Sequence, residues 1–172
     1  MAVAGCGPRL PPRFVIEQDL GAYRYSRYQQ VLDIEVPIEG NPAVGHTATY
    51  VRGATTLSVV PVFVTVYERA SGLTETLRGR LRDMPGYEIA PRQVAGEHVL
   101  SIRGEGGDLW LCWISDRHVV KLGTPEGKDD VPEEVVEAYL DLYPSDLDDR
   151  GRARKGASSA GAAVARSQEQ KP

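Results

Sequence analysis

Apolar and polar residues alternate along much of this chain, and a period of two marks strands. The clearest run covers residues 57–67, where Val60, Val62, Val64 and Val66 fall on one face and Val59, Phe63 and Tyr67 on the other. Both faces are largely apolar, so this strand is expected in the interior of a sheet. Leu32, Ile34, Val36 and Ile38 alternate with Asp33, Glu35, Pro37 and Glu39. That pattern predicts a half-buried strand with an edge or end near Pro37, and Gly40-Asn41-Pro42 predicts the turn after it. A shorter strand is predicted over residues 46–51. Ahead of these, Phe14-Val15-Ile16 and the tyrosines between 23 and 28 carry apolar anchors at mixed spacing, as expected of a leading segment packed against the body.

The period then changes. Leu73, Leu77, Leu81 and Met84 recur at helical spacing, with Ser71 placed to cap the helix and Pro85-Gly86 to stop it. Arg78, Arg80 and Arg82 project mainly from its other faces and read as a solvated surface. Strands are predicted over residues 87–90, 98–103 and 108–115, with a Gly-rich hairpin turn at 104–108. Ser115-Asp116-Arg117 turns the chain into a further strand over 118–122. A second helix follows: Asp130 can cap it, Pro132 suits its first position and Glu133 stands at capping-box spacing. Val135, Val136, Tyr139, Leu140 and Tyr143 form its apolar stripe, and Pro144 ends it. This order predicts an α+β fold, an antiparallel sheet of about six strands with two helices packed against it.

The length of 172 residues suits one domain with loose ends. The expected division is a leader over 1–13, a single folded domain over 14–148 and a disordered basic Gly/Ala/Ser-rich tail over 149–172. Charge supports that division. The tail holds six basic residues against Asp149 and Glu169, a net +4, which leaves −8 of the total −4 for residues 1–148. An acidic body argues against nucleic acid as a partner. No run approaches the roughly 18 apolar residues of a membrane span.

One short motif bears on location. Val3-Ala4-Gly5-Cys6 resembles the lipobox at which a lipoprotein precursor is cut and its cysteine acylated, which would make Cys6 the anchor to a membrane. A Pro-rich spacer, Gly7-Pro8-Arg9-Leu10-Pro11-Pro12-Arg13, follows it. Only five residues precede Cys6, too few for a complete secretory signal. The lipoprotein reading therefore expects a start codon upstream, with an in-frame basic and apolar segment; without one, a cytoplasmic location is expected. Cys112 lies in an apolar run far from Cys6 and reads as a free buried thiol rather than a disulfide partner.

No constellation of catalytic residues stands out, and no cofactor is expected. The glycines at 104–107 precede a strand, whereas a phosphate cradle needs a helix there. His98, His118, Cys112 and Asp116 fall near one another in the predicted meander, but their spacing matches no metal-ligand pattern. No Gly-x-Ser-x-Gly elbow is present, and the paired carboxylates at 129–130, 133–134 and 146–149 suit helix ends and a solvated tail. The most distinctive local run is Trp110-Leu111-Cys112-Trp113 with the following His118. Trp110, Trp113 and His118 are the candidate ligand or interface residues, against the alternative that the aromatics complete a core.

Leu20-Gly21-Ala22-Tyr23 with Ser26 and Tyr28, the strand Val62-Phe63-Val64-Thr65-Val66-Tyr67-Glu68, and the ending Tyr139-Leu140 with Tyr143-Pro144-Ser145-Asp146-Leu147 resemble uncharacterised bacterial envelope lipoproteins with a single domain of unknown function. The resemblance spans residues 14–147 and implies a bacterial envelope domain without catalytic residues; a protein partner in the envelope is the expectation from the lipobox-like start, the spacer, a full core and the lack of a catalytic constellation. The functional expectation is a non-catalytic, lipid-anchored binding or assembly module. A small-ligand or metal-binding domain, or an enzyme, with a pocket near Trp113 and His118 is the alternative.

Overall fold

The structure is a computed structural model that describes residues 9–32, 34, 36–53, 58–124 and 131–154. Among these, seven strands form one antiparallel sheet: β1 (Arg24–Val31), β2 (Ala43–Arg52), β3 (Ser58–Tyr67), β4 (Tyr87–Val94), β5 (Glu97–Gly104), β6 (Leu109–Ser115) and β7 (His118–Gly123). Their order in space is β1-β2-β3-β7-β6-β5-β4. Two meanders therefore meet where β3 pairs with β7, and the long apolar strand lies inside the sheet as its pattern requires. Helix α1 (Leu73–Arg82) joins the meanders, and α2 (Glu133–Leu142) follows the second. This is the expected α+β arrangement, with seven strands in place of about six.

The strand at the start of the chain is not the one expected. β1 uses residues 24–31, whose spacing is irregular because register shifts between Tyr25 and Arg27 and leaves Ser26 as a bulge. The described residues of the alternating stretch after it form no strand. Pro37 has no N–H for a ladder, Leu32 is left 84% exposed, and Ile34, Val36 and Ile38 pack as single anchors against the body. β4 also runs past its expected end, through Pro91, to a two-residue turn at Ala95-Gly96, both at positive φ (51° and 83°). Pro91 is tolerated because β4 is an edge strand.

The helix ends differ from their expected form. Gly72, at φ 72°, takes the cap position of α1 in place of Ser71, and Met84 lies beyond the last turn. Pro132 is the cap residue of α2 rather than its first helical residue. The expected cap Asp130 lies outside the described residues.

Register divides the sheet into two unlike faces. His46, Ala48 and Tyr50 of β2 stand opposite Val64, Val62 and Val60 of β3, which continue through Val120 and Leu122 of β7 to Trp113 and Leu111 of β6. All but His46 of this set are completely or almost completely buried. α2 covers this face together with a strap formed by residues 10–23, from which Val15 is fully buried. The other face carries Gly45, Phe63, Thr65, Lys121, Cys112 and Trp110, and α1 lies over it.

Residues 149–154 lie beyond the domain end expected at 148 and are tied to the body. Leu147 bridges Ala153, Arg154 pairs with Glu97 at 3.2 Å, and a Cβ on Gly151 would stand 2.5 Å from the Leu100 side chain.

Candidate functional site

The α1 face does not close. Between the helix and the sheet lies an open cleft of about 540 Å³, within the range that holds a small organic ligand. Its origin is a mismatch of side-chain sizes. Gly45, Thr65 and Cys112 make a low floor, whereas Phe63, Trp110 and Tyr67 rise at its sides and Leu77 and Leu81 come down from α1. Ile34 and Val36 close one end, which explains why apolar residues recur in a stretch that forms no strand. The Tyr67 hydroxyl donates to the Val36 carbonyl at 2.7 Å and fixes that end. Met84 and Tyr87, 37% and 43% exposed, stand on the opposite rim.

Gly45 is needed at its place. A Cβ there would come within 3.1 Å of the Val31 carbonyl oxygen and 3.5 Å of Ile34, so a side chain would strain the neighbouring strand and fill the floor. Gly123 has the same role beneath Trp110: a Cβ would meet the indole and the Pro61 ring at 3.0 Å. The indole lies against the sheet and directs its N–H to Asp108 Oδ2 at 2.9 Å. Lys121 crosses over it, with Nζ 4.1 Å from the Trp110 ring and 5.8 Å from that of Phe63. Such contacts hold an ammonium on an aromatic surface.

The three candidate residues read from the sequence are thus separated. Trp110 borders the cleft. Trp113, three residues on, is on the opposite face and fully buried, where its indole N–H donates to the Tyr143 carbonyl at 2.8 Å. His118 shares that opposite face, 6% exposed. Cys112 and His118 therefore stand on opposite sides of the sheet, and no group of His, Cys, Asp and Glu among the described residues is arranged to hold a metal. Cys6 lies outside the described residues. No described helix is long and apolar enough to cross a membrane. Sequence reasoning did not find the floor residues Gly45 and Thr65; the available signal was a glycine within a strand, which marks close backbone approach or missing bulk.

His118 belongs to an aromatic cluster beneath the strap. Phe14, a bulky residue at φ 60°, places its ring 4.9 Å from His46 and 5.9 Å from His118, and His118 lies 5.1 Å from Tyr143. His46 Nδ1 is 2.9 Å from the Tyr28 hydroxyl. His118 Nδ1 donates to the Ser115 carbonyl at 3.1 Å in the neutral tautomer that suits this site. Its Nε2 is buried without a partner among the described residues. Burial pulls the His118 imidazole below its usual 6.5. The Arg117 charge adds to that, while the Ser115 carbonyl and Asp116 oppose it. Burial lowers His46 as well.

A base whose pKa is lower in the folded state binds its proton more readily when unfolded, so stability is complete above 6.5 and declines as pH falls toward the folded value. The expected slope from His118 is at most about 1.4 kcal/mol per pH unit, and His46, which borders an open groove, adds less. Urea unfolding at pH 7 and pH 5 should show this loss, and His118→Phe should reduce it. A loss equal in both proteins would disprove the assignment.

The fold and cleft together define an α+β domain with a ligand-sized apolar recess on one side of its sheet. Comparison with protein families, with curated proteins and with solved structures gave no match.

Proposed function

We propose that this domain is a binding module that takes a small, mainly apolar ligand into the cleft between α1 and the sheet. The carrying observation is the cleft itself: a recess of about 540 Å³ whose described lining is mainly apolar, opposite a sheet face whose centre, from Tyr50 through Val62 and Val120 to Trp113, is buried. Burying apolar ligand surface there would yield about 25 cal/mol per Å² before the costs of association. Acylation of Cys6 would place the same cleft at a membrane surface and forms part of the proposal, resting on the Val3–Cys6 motif and the spacer after it.

A neutral fluorescent probe, N-phenyl-1-naphthylamine, tests the cleft. The expected result is saturable 1:1 binding to the folded protein. Filling the floor with Thr65→Phe should weaken binding at least about tenfold while the circular dichroism spectrum stays unchanged. Absence of probe binding to the folded wild-type protein would refute the proposal, as would binding that Thr65→Phe leaves undiminished.

A further inference from the structure

The β1 end of the sheet carries positive charge without counter-charge on its strands. β1, β2 and β3 contribute no Asp or Glu, although the whole chain has a net charge of −4. Arg24 and Arg27 of β1 are exposed, and no ion pair or ring contact among the described residues engages either side chain. Residues three apart on a regular strand point to opposite faces. The bulge at Ser26 changes this: Arg24 stands opposite Val51 and Arg27 opposite Thr49, so both side chains leave the same face of the sheet. The carboxylates of the strap near β1 are already engaged. Asp19 accepts the Tyr25 N–H at 2.8 Å, and Glu17 pairs with Arg13 at 3.1 Å.

β1 is also one of the two edges of the sheet. The other edge, β4, is interrupted by Pro91, which has no N–H to offer a further strand. β1 contains no proline, and after the bulge Arg27–Val31 keep one regular register against β2. The outer N–H and C=O groups of this stretch have no strand beyond them. Leu32, directly after it, is 84% exposed, more than any other large apolar residue described. We propose that the β1 edge binds an extended acidic segment of a partner protein as a further strand, with carboxylates facing Arg24 and Arg27 and an apolar residue against Leu32. Main-chain bonds along β1 supply affinity, and the two arginines select the partner. The same charges oppose pairing between the β1 edges of two copies, which would bring like charges together. A nucleic acid fits less well, because its binding grows with the number of cations engaged and would leave the backbone groups of the edge unused. Binding here does not require a ligand in the cleft.

The capped peptide Thr-Glu-Val-Glu-Val-Glu-Thr, titrated at low ionic strength into the isotope-labelled full chain and followed by NMR, tests this. Saturable binding is expected, with amide shifts concentrated in β1. The counterpart with Lys in place of Glu should bind at least about tenfold more weakly. The double variant Arg24→Glu with Arg27→Glu should reverse that preference. Arg24→Gln with Arg27→Gln should remove it, and serves the same comparison if the reversed charges disturb folding. N-methylation of two adjacent central peptide groups, which blocks both edges of the peptide, should abolish binding. Equal affinity for the Glu and Lys peptides, or a preference undiminished without the arginines, would overturn the charge assignment. Binding retained after N-methylation, or shifts centred away from β1, would overturn strand addition. Failure of the Glu peptide to bind the folded protein would overturn the proposal as a whole, as would a short single-stranded oligonucleotide that shifts the same amides and displaces the peptide.

Discussion

Replacing Trp113 with alanine is expected to cost about 3–5 kcal/mol of folding free energy, whereas Trp110→Ala costs only about 1–2 kcal/mol. Trp113 is fully buried in the middle of the α2 face, across from Val120 of β7. Its loss leaves a large cavity and also removes the donor that serves the Tyr143 carbonyl. Such a carbonyl, buried and unpaired, adds its own desolvation cost. Trp110 is half-buried at the cleft, so its replacement loses the ring contacts with Lys121 and Phe63 and the bond to Asp108 without opening the core. Domain stabilities are about 5–15 kcal/mol, so Trp113→Ala should take a large share of the total. Urea unfolding followed by circular dichroism measures both. Similar losses for the two variants would contradict the division between the faces.

The same two tryptophans show how far the sequence could be read. A run such as Leu109-Trp110-Leu111-Cys112-Trp113-Ile114 identifies a strand with two apolar sides, and that strand is present. Which side is filled depends on what covers it, and the covering elements come from residues 10–23, 73–82 and 133–142, far away in sequence. Period-two patterning therefore placed β2, β3, β6 and β7 well and could not tell a core tryptophan from a cleft tryptophan. It misassigned residues 32–38 for a related reason: the apolar positions there pack over the sheet instead of extending it, and alternation alone does not distinguish the two. β1 was missed because a bulge breaks its alternation. The cleft was invisible because it consists of missing bulk at Gly45 and Thr65, and small residues leave only a weak trace in a hydrophobicity pattern.

Tyr139→Phe is expected to lower stability by about 1–3 kcal/mol and to loosen the strap before the rest of the domain. Three tyrosines, one on β2, one on α2 and one just after α2, hold the strap's backbone. Ile16 N–H donates to the Tyr139 hydroxyl at 3.1 Å, and the Tyr50 hydroxyl donates to the Ile16 carbonyl. The two hydroxyls meet at 2.9 Å, so Tyr139 donates to Tyr50 and the hydrogen-bond ring closes. Tyr143 adds a bond to the Phe14 carbonyl at 2.7 Å. Burial pushes the Tyr139 phenol up to about 12 and raises Tyr50 and Tyr143 further, so all three remain protonated donors across the physiological range. Removing the Tyr139 oxygen leaves the Ile16 N–H without its acceptor in a partly buried position and the Tyr50 hydroxyl without its donor in a buried one, which is costlier than the bonds themselves are favourable. Phe14 at positive φ stores strain that those bonds restrain, so the strap should open locally. Arg13, already exposed in its pairing with Glu17 at 3.1 Å and over the Tyr28 ring, would then lie in backbone free to extend into a protease site. Brief trypsin treatment should cleave after Arg13 faster in Tyr139→Phe than in wild-type protein, with little change at sites inside the sheet. Cleavage accelerated equally at all sites would show that the tyrosine ring stabilises the domain as a whole and has no particular hold on the strap.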